Sequence, residues 1–186
     1  MLTHDVVYHL EMTSLAELRP ARPSRAAVRL REIGLADVRD FREIHDRVGG
    51  PHGWPSLTWP ESRWREHLAR PGVRAWIAEV DGRPAGFAQL QAQPGHTVEI
   101  EYFGLAPEYV GHGIGGHLLT LITRLAWEPA PGGEESGVES GEEIRRVRVR
   151  TSRSDHPHAR ANYQARGFRL TREEPWEREF GIAAPH

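Results

Sequence analysis

Cysteine is absent from the 186 residues. That absence removes disulfides, thiolate nucleophiles and cysteine-based metal sites together, so any chemistry must come from other side chains. Lysine is absent as well: all 24 cationic residues are arginine, and no Gly-Lys-Ser/Thr phosphate loop can be written. No apolar run approaches the length that spans a bilayer. The stretch Met1 to Leu10 has no basic cluster followed by an apolar segment, so nothing reads as a secretory signal and a cytoplasmic protein without a membrane partner is expected. Charge of either sign is scarcely in excess, at a formal −2 with a pI near 6.6. No overall basic field is available to hold nucleic acid, and a small molecule or a protein is the expected partner.

What remains is 38% hydrophobic and 27% charged, the balance of a soluble globular protein long enough for one core. Residues 1–25 hold a short alternating piece, Val6-Val7-Tyr8-His9-Leu10, and then two prolines, Pro20 and Pro23. They are expected to form an N-terminal arm or an added strand before the domain proper, residues 26–186. The domain opens with alternation over Ala27 to Arg31, a strand, followed by Val38, Phe41, Ile44 and Val48 at helical spacing. A Gly-, Pro- and Trp-rich loop over 49–60 leads to a polar helix, Glu61 to Arg70. Trp54, Trp59 and Trp64 either pin that loop to the core or shape a pocket. Strands at Arg74 to Val80 and Pro84 to Gln91 are joined by Asp81-Gly82, a dipeptide suited to the positive φ angles of a tight hairpin. A further strand, Thr97 to Leu105, precedes a glycine turn and an amphipathic helix carrying Ile114, Leu118, Ile122 and Leu125. Residues 129–143 lack periodicity and are expected to be a flexible insertion. Then come a strand over Ile144 to Thr151, a short helix from Pro157 to Arg166 closed by Gly167, and a strand over Phe168 to Leu170.

The glycine turn, Gly111-His112-Gly113-Ile114-Gly115-Gly116, opens a helix. Unpaired N–H groups and a partial positive charge at a helix start, with glycines that let an anion approach the main chain, suit a pyrophosphate. The literal G-x-G-x-x-G match is weak evidence for a dinucleotide fold. The turn lies late, Ala106 to Val110 separates it from the strand, and the acidic residues beyond it, Glu134 and Glu135, fall in the insertion.

The run Phe103-Gly104-Leu105-Ala106-Pro107-Glu108-Tyr109-Val110-Gly111-His112-Gly113-Ile114-Gly115-Gly116-His117-Leu118-Leu119 resembles the acetyl-CoA-binding motif of the GCN5-related N-acetyltransferases. Ala161-Asn162-Tyr163-Gln164-Ala165-Arg166-Gly167-Phe168 is similar to the family's late helix, and the likeness covers about residues 27–172. The resemblance implies an α/β fold with a mixed, mostly antiparallel central sheet flanked by helices. It implies acetyl-CoA as cosubstrate, with Phe103 and Leu105 pairing with the pantetheine. The main chain of Gly111, His112, Gly113, Ile114, Gly115 and Gly116 would hold the pyrophosphate. Two departures stand out: Val110 where the family has Gln or Arg, and His156 where many members carry Asn.

Acyl transfer to an amine needs a neutral nucleophile and a proton for the leaving thiolate, but no enzyme nucleophile, which agrees with the missing cysteine. The resemblance gives Tyr163 the role of proton donor and Glu99 that of general base, with Glu101 two residues on along the same strand. The acceptor implied is a small-molecule amine or a protein amino group; a homodimer is common in the family. The alternative is a catalytically silent acyl-CoA-binding or sensing module. Asp155-His156-Pro157-His158, His112 and His117 lack a recognisable ligand spacing, and no metal is expected.

Overall fold

The computed structural model describes residues 3–129 and 143–178. The insertion expected over 129–143 therefore lies, apart from its two end residues, outside the described residues. The strands are β1 (Thr3–Met12), β2 (Val28–Ile33), β3 (Val73–Val80), β4 (Arg83–Gln93), β5 (Thr97–Leu105), β6 (Arg146–Ser152) and β7 (Arg169–Arg178). The helices are α1 (Val38–Gly49), α2 (Glu61–Leu68), α3 (Ile114–Trp127) and α4 (Ala159–Ala165). All seven strands form one sheet in the order β2-β3-β4-β5-β6-β1-β7. Every neighbouring pair is antiparallel except β5 and β6. This is the mixed, mostly antiparallel sheet with flanking helices that the sequence implied.

The sheet's two faces bury separate cores, and the period of two along each strand sorts the residues between them. On one face Leu10, Met12, Leu90, Val98, Ile100, Val147 and Val149 pack under α3, which contributes Leu118, Leu119 and Ile122, and under Tyr163 of α4. On the other, Ala75, Ile77 and Phe87 meet Val38, Phe41, Ile44 and Val48 of α1 and Trp64 of α2. Phe41 stands edge-on to Trp64 and Phe87 at centroid distances of 5.5 and 5.1 Å, arrangements worth ~0.5–1.5 kcal/mol each beyond area burial. The Asp81-Gly82 turn has φ values of 51° and 74°, as a primed hairpin turn requires.

Two placements go beyond the sequence reading. The N-terminal segment is an inner strand: β1 lies between β6 and β7, with Leu10 opposite Val149 and His9 opposite Arg172. The last strand runs to Arg178 rather than stopping at Leu170, because β1 offers it a full-length partner. The short helix is trimmed to Ala159–Ala165.

Within the β4–β5 pair Leu90 faces Ile100, but Gln89 faces Tyr102, so Glu101 is an extra residue in β5. Such a bulge bends its strand and re-aims side chains. Here it turns Glu101 and Tyr102 to the α1/α2 face, while Ile100 and Phe103 pack with the α3 core.

Candidate active site

Strands β5 and β6 pair in parallel over Thr97–Ile100 and Arg146–Val149, and the register ends there. Beyond it β5 continues to Leu105 and β6 to Ser152 without pairing to each other. The divergence begins at the bulge, so the kink in β5 and the opening of the sheet share one position. A cleft of about 830 Å³ fills the gap, within the size range of small-molecule sites. It runs from Val110, Gly111, Gly115 and Gly116 past Leu105, Gly104 and Phe103 to Tyr163 and Asn162. On the far side it reaches Glu99, Glu101, Tyr102, Trp54 and Ser56.

The glycine turn sits at one end. A short turn over Pro107–Tyr109 brings the chain to Val110, then Gly111 and Gly113 take left-handed φ angles of 85° and 74° and α3 starts at Ile114. Both angles are costly for a residue with a Cβ. His112 and Gly113 are exposed. Ile114 is buried against Val80 and Ala85, anchoring the helix start to the sheet. The first-turn N–H groups of α3 have no intrahelical acceptor by construction, and the cleft passes beside them at Gly115 and Gly116.

Tyr163 stands midway. Its ring lies between Phe103 and Phe168, each at 6.1 Å and edge-on. Burial above all, and secondarily the charge of Asp155, raise its hydroxyl pKa. The phenol is therefore kept protonated, the state a proton donor needs.

Glu99 and Glu101 both face the cleft, each held by guanidinium groups. Glu99 is only 5% exposed; it accepts from Arg150 Nε at 2.8 Å and lies 3.5 Å from Arg148 Nη2. Glu101 accepts from Arg70 Nη2 and Gln89 Nε2, both at 2.7 Å. Buried charge is tolerated here because it is paired and hydrogen-bonded.

Several residues in the cleft and behind it carry no signal in the sequence motifs. Trp54 donates from Nε1 to Asp155 Oδ1 at 3.0 Å, linking the loop after α1 to the turn after β6. Trp59 and Trp64 are buried and pin that loop, while Trp54 and Trp59 also line the cleft. His45 on α1 is fully buried, with Nδ1 2.9 Å from Asp46 Oδ1 and Nε2 2.8 Å from Ser56 Oγ. Burial pushes the Tyr102 hydroxyl up to about 12, with nearby Ser56 acting in the opposite direction. His156 lies beside His52 and His158 on the cleft wall, and burial lowers its pKa.

The sheet is thus split between its two parallel strands, with a glycine turn at one end of the cleft and a buried tyrosine beside it. The acetyltransferase (GNAT) family model matches residues 38–168. The chain belongs to that family and carries its acetyltransferase domain. Probable N-acetyltransferase Rv2775 of Mycobacterium tuberculosis is 34% identical over 76 residues, covering 40% of this chain and 41% of that protein. The GCN5-related N-acetyltransferase of Sphaerobacter thermophilus superposes with a TM-score of 0.68 at 15% identity, over 99% of this chain and 55% of that one. Aminoglycoside N-acetyltransferase AAC(6')-Iy, solved in complex with CoA, has a TM-score of 0.54 at 18% identity, over 85% of this chain and 98% of its own. The chain thus spans well under two thirds of the first two of these relatives, and the structural likenesses establish the fold. Among the described residues no helix is long and apolar enough to cross a membrane.

Proposed function

We propose that the protein transfers an acetyl group from acetyl-CoA to a primary amine by direct attack. The observation that carries this reading is the single cleft that joins the glycine turn, the open edge of β5, Tyr163 and Glu99. The residues present fit the cosubstrate. Main-chain N–H groups between Gly111 and Gly116, His112 and Ile114 included, would hold the pyrophosphate, since only backbone is required. Val110 in place of Gln or Arg removes a side-chain contact and leaves that backbone intact. The edge of β5 at Phe103 and Leu105 has β4 on one side and the cleft on the other, which suits pairing with the amide groups of pantetheine. Acetyl-CoA supplies the thioester.

Glu99 is the proposed proton acceptor at the attacking nitrogen, and Tyr163 the donor to the departing sulfur. One proton leaves nitrogen as another reaches sulfur, and return of the Glu99 proton to the tyrosine side resets both groups. The carboxylates Glu99 and Glu101, in a cleft that Trp54, Tyr102 and Trp176 also line, favour an acceptor that carries positive charge on an apolar frame. A small amine or a protein amino group meets that description. The setting proposed is the cytoplasm.

The test is release of free CoA with a panel of primary amines, followed with a thiol-reactive chromophore. The protein contributes no background to that assay because it has no cysteine. Acetyl-CoA should also raise the melting temperature. A thermal shift without CoA release from any amine would support the silent binding module instead, and no shift at saturating acetyl-CoA would remove both readings.

A further inference from the structure

The acid and base above account for one of the two protons that a protonated amine must lose before it becomes an amide nitrogen. The other has to leave the cleft, and a line of polar side chains leads from the cleft to the surface of α1. Tyr102 and Ser56 both line the cleft, and the Tyr102 ring lies 5.6 Å from that of His45. Ser56, 3% exposed, lies 2.8 Å from His45 Nε2. The other ring nitrogen, Nδ1, lies 2.9 Å from Asp46 Oδ1, and the Asp46 side chain is 43% exposed. Four groups from α1, the loop after it and the bulged segment of β5 thus form one line, with one end in the acceptor half of the cleft and the other in water.

We propose that Tyr102, Ser56, His45 and Asp46 form a proton relay that converts the incoming ammonium to the neutral amine before attack; the inference rests on the acetyl-transfer reading above. An N–H of the ammonium gives its proton to the Tyr102 oxygen as that hydroxyl passes its own to Ser56 Oγ. Ser56 in turn passes its proton to His45 Nε2, and the Nδ1 proton of His45 moves through the Asp46 carboxylate to water. Each oxygen gains one proton and loses one, no heavy-atom bond changes, and water is the only further reactant. The acyl step then forms the N–C bond and breaks the C–S bond, so that one proton in total is released per turnover.

The surroundings of His45 favour a neutral resting ring. Burial lowers its pKa, with Arg42 acting the same way and Asp46 opposing. Its other neighbours are uncharged: Ser56 and Trp54 from the loop, Trp64 from α2, Phe87 from β4 and Tyr102 from β5. Around Tyr102 stand Glu101, Arg70, Arg63 and His67. A Ser-His-Asp line also suggests an acyl-accepting serine. Here Ser56 is 3% exposed, with its Oγ 2.8 Å from His45 Nε2, which favours passage of a proton over attack on a thioester.

The experiment compares the full chain with Tyr102→Phe, Ser56→Ala and His45→Gln in CoA release. The acceptors are phenethylamine, putrescine, an aminoglycoside and a peptide with a free N-terminus, each from pH 6 to the pKa of its amine. Each variant should lose on the order of a hundredfold in kcat/KM for the amine near neutrality. The deficit should close as the pH approaches the amine's own pKa, where the acceptor arrives neutral. Acetyl-CoA affinity, read by thermal shift, should stay unchanged. Tyr102→Phe keeps the ring and its packing, so it tests the relay even if His45→Gln fails to fold. A deficit of the same size at every pH, or none in Tyr102→Phe, overturns the relay. So does an acetylated Ser56 peptide after exposure to acetyl-CoA alone. No release by the wild type with any amine overturns the proposed reaction and the relay with it, whereas release that the variants share in full overturns the relay alone.

Discussion

The ring of Tyr163 on α4 meets the ring of Phe103 on β5 edge-on at 6.1 Å, within the core that also holds α3. Phe103 belongs to the strand proposed to pair with pantetheine, so on that reading the contact would set the phenol beside the path of the thioester. Tyr163→Phe retains both ring contacts and removes the one group that can give up a proton. We expect kcat to fall by about 10²–10⁴-fold, with acetyl-CoA affinity and melting temperature close to wild type. Steady-state kinetics together with a cofactor thermal shift checks this, and an unchanged kcat would take Tyr163 out of its proposed role.

Glu99 offers a different signature, because it is already bound to two arginines. Glu99→Gln keeps the volume but leaves Arg148 and Arg150 facing a neutral amide. We expect kcat/KM for the amine to drop by at least ~10-fold while the affinity for acetyl-CoA is retained. Glu101→Gln should disturb Arg70 and Gln89 instead. If Glu101→Gln gave the larger kinetic loss, the two strand carboxylates would exchange roles.

What is legible in the sequence depends on the range of the interaction. The Asp81-Gly82 hairpin and the glycine turn are local, and their residue types state the φ angles they take. The short helix that carries Tyr163 was legible through the motif around it. The position of β1 was not, because alternation over Val6 to Leu10 announces a strand but not its neighbours, and those neighbours lie more than a hundred residues away at Ser152 and Arg172. His45 lies one turn beyond Phe41 and was not singled out in the sequence; only the fold shows that it is buried and that Ser56 and Asp46 occupy both its nitrogens. The bulge at Glu101 has no glycine to mark it. Without it, Tyr102 would be assigned to the wrong face of the sheet.

The close approach of α1 to β5 gives a stability prediction. A Cβ built on Gly104 would overlap Val48 Cγ1, and a β-branched side chain in a helix has little rotamer freedom with which to move aside. Gly104→Ala should destabilise the protein by roughly 1–3 kcal/mol through overpacking. Val48→Ala alone should also destabilise, by loss of buried volume. The double variant should be more stable than the sum of the two losses predicts, since the cavity made by one change receives the methyl added by the other. Denaturant melts of the four proteins measure the coupling, and simple additivity would mean that the backbone, not Val48, absorbs the clash.

The buried histidine also sets the direction of the pH dependence of stability. Burial lowers the His45 pKa from its ordinary value of 6.5, and His156 shifts the same way. Between the lowered native value and the unfolded one, the unfolded chain binds more protons than the folded one. Stability therefore rises with pH across that window and is lost as the pH falls below about 6.5. Glu108 and Glu174 are also lowered, Glu108 mainly by a backbone hydrogen bond and Glu174 by His9. Their contributions are present above the ordinary carboxylate value of 4.5 and disappear only as the pH falls below it. The melting temperature should accordingly decline in two stages on acidification, the first below pH 6.5 and the second below 4.5. His45→Gln lowers the overall stability by disturbing the bonds to Asp46 and Ser56, yet it should flatten the first stage and leave the second in place. A first stage that persists undiminished in His45→Gln would assign it to His156, which His156→Gln would then abolish.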